Sequence, residues 1–510
     1  MSLISMEFLI FVFVAVLGYY LIPKRFQWIW LLFFSYIYYA SSGIEYIVFI
    51  IYTTLVTFVT GLLLNWVENR HAGKKDIIKR KKRQVLLLAL VLDFGMLAVL
   101  KYTNFAISNL NALFHAGISL KHFLLPLGIS FYTFQSAGYV LDVYWKRCEP
   151  ERNLFRFALF VSFFPQILQG PIGRYHRLAH QFYERHAFEL TKIERGVQRI
   201  TWGYFKKLVI AETAAIFVNV AFDEYQTYPG LAIFGVLAYT AQLYGDFSGG
   251  MDVVIGIAEL FGIELDENFK RPFFAVSITD FWHRWHITLG TWMKDYVFYP
   301  LSLSKAMSRF GKFSKKKFGK AYGRVLPICL SNIVVFLVVG IWHGAAWKFI
   351  VYGLYNGIII AFSGLMEKNY RKWKKRCHID EKSGKWKMFQ IVRTFVLVNI
   401  SWFFDRADTV GQALTMMKNA VTCFRPQDIF TIQVGTAGTT YTILALGILA
   451  AGSAVLFVVS FLQEKGTHIR VALASRPWLI RWFIYLALLF SIPMLGQPPD
   501  STGGFIYAQF

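Results

Sequence analysis

Between Val325 and Met366 the chain is almost wholly apolar, and His343 and Lys348 are the only residues there able to carry charge near neutral pH. A helix needs about 20 apolar residues to cross the hydrocarbon of a bilayer, so this stretch has room for two crossings. Comparable runs recur at 6–22, 27–41, 44–65, 85–105, 123–145, 203–222, 230–262, 388–404, 439–462 and 480–497. Within lipid, only helices and closed barrels satisfy their own backbone groups, and runs of this length select helices. Hydrophobic residues make up 56% of the 510 positions and charged residues 16%. A soluble fold has no use for so much apolar surface. The expected fold is therefore all-α, a polytopic integral membrane protein with about eleven to thirteen spanning segments. The first run, 6–22, has no basic stretch before it and no small-residue cleavage site after it, so it reads as a retained helix rather than a signal peptide.

The net charge of +24 invites a nucleic-acid reading, but its placement argues against one. Segment 305–324 carries eight Lys/Arg and no acid, 70–83 carries eight against one acid, and 368–387 carries nine against two. Each links two apolar runs, as the positive-inside rule requires of cytoplasmic loops facing anionic lipid. No nucleic-acid partner is expected. With these links inside, both termini fall on the extracytoplasmic side, and 405–438, whose charges balance, reads as an outside loop. The run 154–170 has basic flanks on the same side, including Lys206 and Lys207 further on, which fits a re-entrant segment broken at Gln169-Gly170-Pro171. The four cysteines are scattered, with neither metal-ligand spacing nor a disulfide framework. The chain reads as one membrane-embedded domain, with a core at 120–404, added helices at 439–497 and an aromatic tail at 504–510.

Three polar insertions carry the chemistry. An ionisable group at membrane depth is expensive unless it has a task or a partner, which singles out His343 in Trp342-His343-Gly344. Ser277 and Asp280 are spaced like a capping box and predict a helix start. Along that helix Trp282, Trp285, His286 and Leu289 would share one face, and Asp280 would pair with Arg284 four residues on. The plain alternative is an interfacial helix with a Trp belt. The stretch Gln242 to Asp252 sets Asp246, Ser248, Asp252 and three glycines inside an apolar run, which implies either an unwound helix or close backbone packing.

Taken together, Asp280-Phe281-Trp282-His283-Arg284-Trp285-His286, Trp342-His343-Gly344, Asp246-Phe247-Ser248-Gly249 and Gln169-Gly170-Pro171 resemble the membrane-bound O-acyltransferase family, most closely its bacterial alginate O-acetyltransferase branch. The likeness runs from Leu125-Pro126-Leu127-Gly128 to the last residue. It implies a helical bundle with a central tunnel and re-entrant or broken helices. His343 would be the deep catalytic histidine and His286 the second. Trp342, Trp282, Trp285, Asp246, Ser248, Gln169, Asp280 and His283 would line the substrate path. No cofactor or metal would be bound; acetyl-CoA or an acyl-carrier protein would be the cytosolic donor. An extracytoplasmic acyltransferase acting on polysaccharide is the implied partner, and a bacterial inner membrane the implied location.

The chemistry of acyl transfer agrees. An alcohol is a poor nucleophile until a base takes its proton. Histidine titrates nearest neutral pH, and an apolar surround keeps its ring uncharged and able to accept. His286 would orient the thioester or stabilise the oxyanion. The tail Gly504-Phe505-Ile506-Tyr507-Ala508-Gln509-Phe510 is similar to the aromatic tail of polysaccharide-acylating relatives, with Ala508 where they carry Phe. Tyr507 is thereby a candidate acyl relay. The rival readings are a polysaccharide or lipid-linked sugar transporter, D-alanyl transfer to teichoic acid, and a metal-dependent hydrolase using His283 and His286. A transporter lacks a reason for Trp-His-Gly and usually shows inverted repeats, and the hydrolase lacks a third ligand.

Overall fold

The computed structural model describes residues 1–123, 125–430, 432 and 438–497. Among the described residues the regular structure is helical, with one isolated antiparallel bridge between Phe269 and Trp285. Among the described residues, six helices are long and apolar enough to cross a membrane: Ile44–Arg70, Lys75–Phe114, Tyr322–His343, Trp347–Arg376, Tyr441–Glu464 and Trp478–Leu495. Each coincides with an expected run. Other expected runs differ for local reasons. Gln27–Ala40 has 14 residues, about 21 Å of helix. Ile129–Tyr144 starts late because Pro126 and Gly128, at φ 72°, hold the chain out of helix until Ile129. Ala232–Leu260 is long enough but carries Gln242, Asp246 and Asp252.

The chain forms two compact units, Met1–Tyr204 with Gly249–Asp266, and Phe205–Ser248 with the described residues from Glu267 onward. In the first, the Ile47–Arg70 helix packs against Lys75–Phe114 and Ile129–Tyr144. Every residue from Ile129 to Val143 is buried. By contrast, Leu88, Val91 and Val99 of Lys75–Phe114 are more than half exposed, the apolar outer face that lipid contact requires. The run 154–170 is the short helix Leu154–Ser162, a break at Phe163, and the single turn Phe164–Ile167.

In the second unit, Tyr322–His343 and Trp347–Arg376 form an antiparallel hairpin joined by Gly344, Ala345 and Ala346. The crossing depends on glycine. A Cβ on Gly353 would lie 2.3 Å from the Phe336 carbonyl oxygen, and one on Gly340 would lie 2.3 Å from that of Phe349. Backbone atoms cannot swing aside, so Gly353→Val is expected to part the helices at a cost of about 1–3 kcal/mol. Lower melting temperature and lower activity in detergent would show it; an unchanged melting temperature would contradict the close crossing.

Two expectations about links are corrected. Segment 305–324 is mostly the helix Lys305–Phe318, started by the Ser304 side chain accepting from Met307 N–H, rather than an open loop. The 405–438 connection contains the helix Val410–Thr422, capped by Thr409. Ser and Thr at such positions satisfy N–H groups that have no partner within the helix, so a polar stretch need not be a loop.

Candidate active site

Ser277 accepts from Asp280 N–H at 3.1 Å, and Asp280 Oδ2 accepts from Val276 N–H at 3.0 Å, which starts the helix Ile278–Arg284 as expected. Asp280 also pairs with Arg284 at 3.0 Å. Arg284 and Arg271 converge on Glu464, at 3.0 and 2.8 Å.

The expected single helix then stops. Trp285 is extended, His286 is left-handed at φ 48°, ψ 51°, and a second helix runs Ile287–Met293. Trp282 and His286 therefore do not share a helical face. The cause is the segment before the motif. Lys270 N–H donates to the Arg284 carbonyl at 2.9 Å and Ile287 N–H to that of Asn268 at 3.0 Å, drawing the chain into a two-residue pairing that breaks the helix. A left-handed non-glycine residue costs about 1–2 kcal/mol, and such strain collects at functional sites. Here Asn268, 1% exposed, sustains it by accepting from Thr288 N–H and Thr288 Oγ1–H, both at 3.0 Å.

The break turns Trp285 and His286 inward, each 1% exposed, which removes the interfacial Trp-belt alternative for them. His343, 2% exposed, ends the Tyr322–His343 helix. Trp342 lies against both imidazoles, with ring centroids 5.6 Å from His286 and 5.2 Å from His343. Phe247 stands edge-on to His286 at 4.8 Å, while Phe349 and Tyr352 wall His343 at 6.2 and 5.4 Å. Tyr352 stacks on Trp402, which touches Trp285 at 5.4 Å. Trp282 donates to Asn356 Oδ1 at 3.2 Å. The result is a histidine pair in an aromatic enclosure.

Burial lowers the pKa of His286 well below the ordinary imidazole value, and neighbouring His343 pushes it the same way. Below about pH 6.5 the unfolded chain takes up a proton that the folded ring refuses, so His286 costs stability as the pH falls. The slope is at most about 1.4 kcal/mol per pH unit. Melting curves at pH 7.5 and 5.5 are expected to show a smaller acid loss in His286→Gln than in the parent; equal losses would contradict the buried neutral ring.

Asp246 and Ser248 lie in the same unit, on an unbroken helix. The glycines serve close packing, not unwinding: a Cβ on Gly245 would come 2.8 Å from the Lys206 carbonyl oxygen. That approach lets Lys207 pair with Asp246, and Lys207 also meets Glu212 at 2.5 Å. Lys206 donates to Ser248 at 2.8 Å. Both lysines are 3% exposed, so they are interior residues and not part of a basic flank. They lie on a π-helical segment, Phe205–Ala211, whose wider turn brings positions five apart toward one side.

The structure does not gather every candidate. His283 is exposed on its helix. Gln169 belongs to the first unit, fully buried against Gly250, with neither side-chain heteroatom hydrogen-bonded among the described residues. Tyr507 and the rest of the aromatic tail lie outside the described residues. Among the described residues, no group of three His, Cys, Asp or Glu is placed to hold a metal. Asn268, Lys207, Glu212, Tyr352 and Asn356 were missed as site residues. Lys207 and Glu212 were findable as charges inside the apolar run 203–222, whereas a loop asparagine such as Asn268 gives no signal.

The sequence matches the model of the MBOAT, membrane-bound O-acyltransferase, family over residues 150–315. His286 falls inside that match and His343 beyond it. A probable alginate O-acetylase of Pseudomonas syringae is 34% identical over 399 residues, 78% of this chain and 70% of the relative. A peptidoglycan O-acetyltransferase of Helicobacter pylori is 30% identical over 440 residues, 80% of this chain and 77% of the relative. A teichoic acid D-alanyltransferase of Bacillus subtilis is 31% identical over 256 residues, 49% of this chain and 61% of the relative. With helices able to span lipid and this degree of identity over most of its length, the chain belongs to the membrane-bound O-acyltransferase family and is a multi-pass membrane O-acyltransferase.

Proposed function

We propose that the protein transfers acetyl groups from a cytosolic thioester, acetyl-CoA or an acylated carrier protein, towards a hydroxyl of a cell-surface or exported polysaccharide. The observation that carries this reading is the buried pair His286 and His343, held against one Trp342. His343 takes the proton of the attacking hydroxyl as its oxygen bonds to the thioester carbonyl carbon. The carbonyl oxygen becomes an oxyanion, which His286 stabilises by hydrogen bonding. Collapse breaks the carbon–sulfur bond, and the departing thiolate recovers the proton from His343. Atoms and charge balance without a cofactor. The basic segments 70–83 and 305–324 suit either acidic donor.

Relatives named for alginate, peptidoglycan and teichoic acid support that acceptor class. A bacterial inner-membrane location with both termini outside, and an extracytoplasmic acyltransferase that completes delivery to sugar, fit that acceptor. Mass spectrometry of surface glycans from cells with and without the protein tests the reading. Loss of O-acetyl groups supports it; unchanged glycans oppose it. Tyr507, flanked by Phe505, Ile506 and Phe510, is proposed as the intermediate acyl carrier. Tyr507→Phe is expected to abolish glycan acetylation at normal protein level, and full acetylation in that variant would remove the relay.

A further inference from the structure

Only one arrangement of the Asn268 amide satisfies its neighbours. Thr288 N–H is a backbone group that can only donate, and it points at Asn268 from 3.0 Å. The atom it meets must therefore be the amide oxygen. That oxygen also takes the Thr288 hydroxyl at 3.0 Å, and two donors fill the two lone pairs of a carbonyl oxygen. The Asn268 Nδ2–H group is left facing His286 Nδ1 at 3.2 Å, while the occupied oxygen lies 3.3 Å from the same nitrogen. An N–H donor opposite Nδ1 requires a lone pair there. A neutral imidazole with its lone pair on Nδ1 carries its proton on Nε2.

We infer that Asn268 is a positioning residue that locks His286 in the Nε2-protonated tautomer, so that His286 serves transfer as a hydrogen-bond donor and His343 alone is the base. The inference rests on the acyl-transfer reading above for its consequence, but not for the tautomer itself. It gives the division of labour between the two histidines a structural cause in the Asn268 amide. A ring held as a donor cannot take the hydroxyl proton, and a donor aimed at developing negative charge is what the oxyanion needs. The left-handed backbone at His286 and the amide at Asn268 then form one device, the first turning the ring inward and the second fixing which nitrogen bears hydrogen.

The test is histidine-selective 15N NMR of the full-length protein in detergent, with the His286 signals identified by their loss in His286→Gln. The parent is expected to show protonated Nε2 and unprotonated Nδ1. Asn268→Asp keeps the shape but offers a carboxylate oxygen, so Nδ1 is expected to become protonated. With acetyl-CoA as the probe and thiol release as the readout, its kcat is expected to fall about 10²- to 10³-fold, the effect of losing one oxyanion donor, with little change in KM. In a His286→Gln background the same change is expected to cost nothing further, because an amide N–H has no second tautomer. A parent ring protonated at Nδ1 overturns the inference, whatever reaction the protein performs and whether or not the variant folds. A reversed tautomer with undiminished kcat overturns the assigned role of His286 while leaving the lock in place, and absence of any thiol release from acetyl-CoA by the parent overturns the acyl-transfer reading without touching the tautomer.

Discussion

His343→Ala is expected to lower acetyl transfer about 10²- to 10⁴-fold, the range contributed by a positioned general base, a loss well beyond what its lower melting temperature accounts for. The ring ends a helix whose close crossing is set by Gly340 and Gly353, while the imidazole itself packs against Phe349 and Tyr352. Removing it takes away the group that accepts the hydroxyl proton and leaves the hairpin intact. His343→Gln is expected to be equally inactive, since an amide can hydrogen-bond but cannot act as a base near neutral pH. Thiol release from acetyl-CoA by purified protein, measured beside a melting curve, separates the two effects. An active His343→Gln variant would contradict the assignment of the base.

The second large effect is structural. Lys207→Met is expected to destabilise the second unit by about 3–5 kcal/mol, the usual consequence of removing one partner of a buried ion pair. Asp246 and Glu212 both meet this one ammonium, and their side chains are 1% and 8% exposed. Without it, two carboxylates sit together inside the protein. Combining Lys207→Met with Asp246→Leu and Glu212→Gln is expected to recover much of the loss, because the ammonium and the two carboxylates that face it are then removed together. Thermal unfolding in detergent reads both. A single variant as stable as the parent would mean that the cluster is solvated in solution.

The helical class was legible because it follows from patterns on single segments. Apolar runs long enough to span lipid announce themselves, and six of those expected at the outset are six spanning-length helices. His343 stood out as an imidazole between apolar stretches. What escaped was set by other segments. Nothing within 277–295 shows that its helix breaks at Trp285, because the break comes from pairing with Asn268 and Lys270. Lys206 and Lys207 looked like a basic flank because charge alone does not reveal burial, and the partners that make burial tolerable lie on another helix. The glycines near Asp246 were ambiguous between a break and a close approach, and the Lys206 carbonyl beside Gly245 resolved it.

Acyl transfer at His343 requires that this ring, although enclosed by protein, be reached by reactants from water. Cys148, Cys329, Cys377 and Cys423 are the native cysteines; with all four replaced by serine or alanine, His343→Cys places one thiol at the reacting position. That thiol is expected to be modified by a small water-soluble maleimide, and saturating acetyl-CoA is expected to slow the reaction. A thiol that no reagent reaches in folded protein, with or without donor, would contradict acyl transfer at His343.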